Sequence, residues 1–192
     1  ARTRHATPYP LHGKIRHMMQ TKTPTLSLAS VARLSQAEFA ACLGDIFEHS
    51  PWIAEQAWHA RPFANIQALH AAMMAAVHAA SEADRLALIA AHPELAGKEA
   101  AGGTLTQAST QEQKGAGLDQ CSAEELARLR ALNRAYQERF GFPFVIAVKG
   151  LSRYQIMDAI EARLQGDRAT ELSACLREIG KIARLRLEAR LI

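Results

Sequence analysis

From Ser27 onward apolar residues return every three or four positions, the spacing of one helical face. Ser35-Gln-Ala-Glu38 reads as a capping box, in which the serine hydroxyl accepts from the amide three residues on and the glutamate reaches back. Phe39, Cys42, Leu43 and Ile46 follow at helical spacing. Pro51 and Pro62 break the chain around Trp52 and Trp58, and after Phe63 a second stripe runs through Ile66, Leu69, Met73 and Val77. Ser81 is placed to cap a third helix bearing Leu86, Leu88 and Ile89. That helix must end before Pro93, because a residue ahead of proline disfavours helical backbone. Residues 94–108, with Gly97, Gly102 and Gly103, read as a loop.

Ser109-Thr-Gln-Glu112 reads as another capping box, with a short helix stopped at Gly115 and Gly117. Ser122-Ala-Glu-Glu125 opens a long helix through Leu126, Leu129, Leu132 and Tyr136, and Gly141 suits its C-terminal turn. Phe142 to Val148 is strand-like, but Pro143 and the lack of partner strands make it an extended segment inside a helical fold. Ser152-Arg-Tyr-Gln155 opens the next helix, and Gly166-Asp167 is a turn. A last helix from about Thr170 carries Leu172, Leu176, Ile179, Ile182, Leu185 and Leu187 on its buried side. With no internal repeat and no heptad run, the expected fold is all-α: a single-domain bundle of about seven or eight helices with one short extended segment near 142–148.

Composition narrows the class. The chain has 192 residues, of which 48% are hydrophobic and 22% charged, values of a globular domain. No run approaches 18 apolar residues, which argues against a spanning helix and a membrane role. The net charge of +4 invites a nucleic-acid reading, but residues 1–23 hold five basic and no acidic residues, leaving about −1 for the rest. A nucleic-acid reader concentrates base on its folded face, so no nucleic-acid partner is expected. Residues 1–18 lack both a hydrophobic period and a signal-peptide core, and read as a leader, vector-derived or disordered, ahead of a domain spanning 19–192. Cys42, Cys121 and Cys175 are odd in number and widely spaced, as free thiols of a reducing compartment would be. The chain ends Arg190-Leu-Ile192 rather than in a peroxisomal tripeptide, so a cytoplasmic location is the default reading.

Candidate chemistry is sparse. The sequence has no GxGxxG, Walker loop, HExxH, GxSxG or Cys/His ligand cluster, so neither a metal nor a bound cofactor is expected. His70 and His78 read as helical or helix-surface histidines rather than metal ligands, and Met73 and Met74 as core. His92 stands at a predicted helix C-terminus, where the dipole favours its protonated form by roughly 0.3–1 kcal/mol and burial opposes it. Opposed effects keep an imidazole titratable near neutrality, as general acid–base work requires. On position alone a His-Pro junction is often only a helix stop, Glu112 only completes a box with Ser109, and Gln113 is an exposed helical amide. Arg186, between Leu185 and Leu187, is a guanidinium at the edge of an apolar face, suited to a carboxylate or imide.

These residues lie in AHPELAGK (91–98), LTQASTQEQKGAGL (105–118), LNRAYQERFGFPFVIAVKG (132–150) and EIGKIARLRL (178–187), with SPW (50–52) and RPF (61–63) upstream. In this order they resemble the family of 2-oxo-4-hydroxy-4-carboxy-5-ureidoimidazoline (OHCU) decarboxylases of uric acid degradation, from about Ser35 to the last residue. The resemblance implies a cofactor-free, all-helical carboxy-lyase, usually a homodimer, that converts OHCU to (S)-allantoin and carbon dioxide. It implies His92 as the catalytic histidine with Pro93 shaping the pocket, and Ser109, Glu112 and Gln113 as active-site residues. Phe144 and Ile146 are the candidates for the apolar wall. Glu112 is expected to orient the imidazole or the ureido group, and Gln113 to read ring amides. The C-terminal arginine falls in ARLRL; Arg186 is preferred to Arg184, which a register shift would exchange with it. Two other classes stay open: a helical module binding nucleic acid through its leader, and a silent relative that binds purine-degradation intermediates.

Overall fold

A computed structural model describes residues 26–192. The leader assigned to 1–18 and the domain start at 19 lie outside these residues. The helices are α1 (Leu28–Val31), α2 (Gln36–Leu43), α3 (Trp52–Ala57), α4 (Ile66–Ala79), α5 (Glu82–Ala90), α6 (Lys98–Gly102), α7 (Gln107–Gly115), α8 (Ala123–Phe140), α9 (Arg153–Arg163) and α10 (Arg168–Arg190). Single 3-10 turns occupy Trp58–Ala60 and Leu118–Gln120. The only β pairing among the described residues is an isolated parallel bridge between Leu26 and Leu191. The architecture is all-α, as the periodicity predicts. The helices of eight residues or more are the ones the sequence announced, and the short α1, α3 and α6 bring the number of α-helices above the expected seven or eight.

Helix starts follow local chemistry. Ser35, Ser122 and Ser152 each complete a capping box, and Ser81 caps α5 by accepting from the Asp84 amide. Three expectations need correction. Residues 94–108 are not all loop, since α6 lies among them and α7 begins at Gln107. The cap of α7 is Thr106, whose hydroxyl accepts from the Ser109 amide, so Ser109 and Glu112 form no capping box. With the helix begun three residues earlier and capped by Thr106, both side chains are free for other partners. The last helix starts at Arg168 because Asp167 caps it, accepting from the Thr170 amide.

The long α10 is the axis of the packing and lies against α4, α5 and α8. Its Ile179, Ala183 and Leu187 meet a core that includes Leu69 and Met73 of α4, Ile89 of α5, and Leu129 and Tyr136 of α8. Gly180 lets α4 come close: a Cβ there would sit 3.1 Å from the Met74 sulfur. At the same crossing His70 Nε2 donates to the Gly180 carbonyl at 2.7 Å, so His70 is half-buried and structural.

The segment 142–148 is extended without a sheet, and side chains from elsewhere bond its backbone. Arg163 Nη1 donates to the Val145 carbonyl at 2.8 Å, and the Ala147 amide donates to Glu178 at 3.0 Å. Buried backbone groups need partners, and here ionised side chains stand in for a neighbouring strand. Phe144 packs edge-on to Tyr136, with centroids 5.2 Å apart, and the Arg163 guanidinium lies 4.5 Å from its ring centroid. The segment is thereby held in its extended shape.

Gly141 ends α8 at φ +83°, and a Cβ there would meet nothing within 4 Å. Gly141→Ala therefore meets no clash with its surroundings, and its cost is that of a Cβ in left-handed backbone, about 1–2 kcal/mol of destabilisation. Urea denaturation should show a lower midpoint with an unchanged slope.

Candidate active site

All eight residues singled out from the sequence line one cleft of about 30 Å³. They reach it from four parts of the chain. α5 ends at Ala90, and the following turn presents His92 and Pro93. α7 presents Ser109, Glu112 and Gln113, whose spacing of three and four residues puts them on one helical face. The extended segment supplies Phe144 and Ile146, and α10 supplies Arg186. Leu95, Val145, Val148 and Ile182, which the sequence did not single out, complete the apolar lining. Arg184, the alternative arginine, turns away and pairs with Glu188 at 2.6 Å one turn on.

His92 is 6% exposed, and its Nδ1 lies 2.9 Å from the Leu88 carbonyl. A carbonyl only accepts, so Nδ1 carries the hydrogen and, in the neutral ring, Nε2 keeps the lone pair. Burial holds the imidazole below its ordinary pKa and outweighs the bond to Leu88 and the negative charge of Glu48, both of which favour protonation. The Arg186 and His49 charges push further in the same direction as burial. Of the two opposed effects expected at this position, burial wins. The group that orients the imidazole is the Leu88 carbonyl rather than Glu112.

Glu112 instead meets Arg186 through a two-point contact, with Nε to Oε1 at 2.8 Å and Nη2 to Oε2 at 2.9 Å. Arg186 also donates from Nη1 to Glu48 at 2.8 Å and to the Ile46 carbonyl at 3.4 Å, and from Nη2 to the Ser109 hydroxyl at 3.3 Å. All five of its N–H bonds therefore have acceptors. Two carboxylates around one guanidinium leave the cluster with one surplus negative charge. Ser109 closes the ring by donating to Glu48 at 3.2 Å.

Gln113 is buried, not the exposed amide that its position suggested. Its Oε1 accepts from the Ala96 amide at 2.9 Å, and its Nε2 donates weakly to the Glu94 carbonyl at 3.4 Å. Asn133 of α8 donates to the Leu95 carbonyl at 3.0 Å. Ala96 has φ +51°, an uncommon conformation for a residue with a Cβ, and these amides hold the turn that follows Pro93 in that shape. Gln113 thus acts on the cleft by fixing its rim.

Glu48 was missed. It sits in Phe-Glu-His-Ser just ahead of the SPW motif, and no spacing links it to α7 or α10. Only a buried arginine in need of a second counter-charge marks it out. Among the described residues no group of three His, Cys, Asp or Glu side chains could hold a metal ion, and no helix is long and apolar enough to cross a membrane.

Fold and site define a helical enzyme in which an imidazole shares a cleft with a buried carboxylate–guanidinium cluster. The OHCU decarboxylase family model matches residues 32–188, and the chain belongs to that family. It is 42% identical over 165 residues to the 2-oxo-4-hydroxy-4-carboxy-5-ureidoimidazoline decarboxylase of Haloferax volcanii, covering 86% of this chain and 96% of that protein. It is 44% identical over 145 residues to the uric acid degradation bifunctional protein PucL of Bacillus subtilis, which covers 76% of this chain and 28% of that longer protein. Among solved structures it resembles (S)-allantoin synthase, with a TM-score of 0.68 and 28% identity, over 86% of this chain and 54% of that one.

Replacing Arg186 with methionine leaves Glu48 buried without its counter-charge, and we expect a loss of about 3–5 kcal/mol at pH 7. Although burial opposes ionisation, the bonds from Thr106 and Arg186 hold the Glu48 carboxyl below its ordinary pKa. The stability this contributes is present at neutral pH and is lost as pH falls through that lowered value. The deficit of Arg186→Met relative to the unsubstituted protein should therefore shrink in acid, as urea titrations at pH 7 and pH 4 would show.

Proposed function

We propose that this chain decarboxylates OHCU to (S)-allantoin, with His92 moving the protons. The observation that carries this reading is the state of His92: a buried, neutral imidazole with Nδ1 fixed by the Leu88 carbonyl, lining the same cleft as Glu112 and Phe144. OHCU bears a hydroxyl and a carboxylate on one ring carbon, next to an imine carbon that carries the ureido group. When the carboxylate leaves as carbon dioxide, its electron pair moves toward the imine nitrogen, which takes a proton from water. The substrate thus contains its own electron sink. The resulting enol loses its hydroxyl proton to Nε2 and becomes the ring carbonyl. The imidazolium then returns a proton to the ureido-bearing carbon, so each turnover takes up one proton from water.

The enzyme's contribution is a fixed ring pose and delivery of that proton to one face. Phe144 and Ile146 form the apolar side of the cleft, and Pro93 limits the ring's slide past the imidazole. Arg186 has its donors occupied, so a ligand anion binds it by taking the place of Glu112, whose side chain is 30% exposed. The displaced carboxylate is then free to accept from the ureido or ring N–H groups. The cleft is small for a ring with four substituents, and partly exposed side chains such as Glu112 and Ile146 must give way on binding. Assembly into homodimers and a cytoplasmic setting belong to the same reading. Among the described residues Tyr154 and Ile192 are the only exposed large apolar side chains, so a dimer interface would be largely polar.

The test is to generate OHCU enzymatically from urate, add the protein and follow the circular dichroism of the allantoin formed. One enantiomer is expected, and a racemic product would overturn the reading. His92→Asn should lose about 100–10,000-fold in rate while remaining folded. The neutral ring is the working form, so the acid limb of kcat/KM should lie below the ordinary imidazole pKa. Sedimentation of the purified protein should give twice the 21.0 kDa chain mass.

A further inference from the structure

Glu48 is the most enclosed charged group of the site, at 2% exposure. It leaves the chain in the turn between α2 and α3. There His49 adopts φ +47°, and the Ser50 hydroxyl donates to the Glu48 carbonyl at 2.9 Å. Its Oε1 accepts from Thr106 at 2.7 Å and from Ser109 at 3.2 Å, and its Oε2 accepts from Arg186 at 2.8 Å. Thr106 is the cap of α7, Ser109 lies in the first turn of that helix, and Arg186 belongs to α10. One carboxylate therefore joins the α2–α3 turn, the helix that carries Glu112 and Gln113, and the helix that carries the arginine.

The two carboxylates on Arg186 differ in kind. Glu112 is partly open to solvent and faces the cleft, whereas Glu48 is enclosed with every oxygen bonded. When a ligand displaces Glu112, Glu48 remains as the fixed counter-charge. Glu48 and His92 also border a second space of about 100 Å³, together with His49, Thr104 and Thr106. The charged and titratable groups facing His92 are thus Glu48 and His49 from the turn, Arg186 from α10 and Glu112 across the cleft from α7.

We propose that Glu48 is a positioning residue for this reaction: it fixes Arg186 against α7 and offsets the guanidinium's positive charge at His92. The proposal rests on the decarboxylase reading given above. Glu48 favours the imidazolium, and Arg186 and His49 oppose it. Without the Glu48 charge Arg186 acts on His92 less opposed, the ring is harder to protonate, and a weaker base removes the hydroxyl proton more slowly. The guanidinium and α7 also lose their common anchor, so Glu112 and the imidazole lose their relative placement.

The experiment compares the unsubstituted protein with Glu48→Gln and Glu48→Asp. The ring proton resonances of His92, assigned by their absence in His92→Asn, are titrated by NMR, and kcat and KM are measured across pH. In Glu48→Gln the His92 midpoint and the acid limb of the rate should both move to lower pH, and kcat should fall about 10–100-fold, more than KM changes. Glu48→Asp retracts the charge by one methylene, so it should fold where the amide does not and move both midpoints the same way by less. A merely structural role would lower the melting temperature and leave the His92 midpoint in place. Either variant, folded and with an unmoved His92 midpoint or an unchanged kcat, overturns the proposal. Racemic allantoin from the unsubstituted protein would instead overturn the decarboxylase reading, and the NMR midpoint would still report on Glu48.

Discussion

The ion cluster around Arg186 organises this protein. A guanidinium buried beneath the surface of a helical bundle is costly unless every N–H finds an acceptor. Here the acceptors are Glu112 and Ser109 on α7, and Glu48 and the Ile46 carbonyl on the turn after α2. Meeting the needs of one side chain thus brings three distant parts of the chain together. The same contacts place α7 over the cleft. The cluster is at once a structural joint and the polar side of the site, which is why its members are poor candidates for harmless substitution.

The imidazole works under the opposite condition. His92 has one fixed hydrogen bond, to Leu88, and is otherwise enclosed by apolar groups and by charges of both signs. Burial keeps it neutral, and the nearby carboxylate keeps it from becoming too weak a base. The proposed reaction, in which this imidazole takes a proton and returns it, needs such a balance. The rim has its own support: Gln113 and Asn133 bond the backbone of residues 94–96, so the turn behind Pro93 is held although Ala96 has an uncommon conformation. In the proposed reaction, selectivity comes from which side chains yield to the ligand and which do not. Glu112 and Ile146 can yield, whereas Phe144, packed on Tyr136 and under Arg163, is held.

Much of this was legible along the chain. Capping serines and apolar spacing marked α2, α5, α8 and α9, because a helix start depends on groups within four residues of one another. The extended character of 142–148 was equally local, since a proline in a hydrophobic run discourages a central strand. The α7 start was misread because two serine or threonine caps compete there, and the choice was made by the partners that Ser109 and Glu112 find elsewhere. Short α6 was missed because Gly97, Gly102 and Gly103 around it argue for a loop.

The sequence by itself determined that the chain is helical, where most helices begin, and which eight residues share a motif pattern, since all of these rest on near neighbours or on a resemblance spread over the whole domain. Only the tertiary structure decided that Arg186 rather than Arg184 enters the cleft, that Glu112 pairs with it, and that Glu48 completes the site. Burial and charge compensation act between residues 74 to 138 positions apart, as Arg186 is from Glu112 and from Glu48. No local spacing encodes such a meeting until the helices have packed.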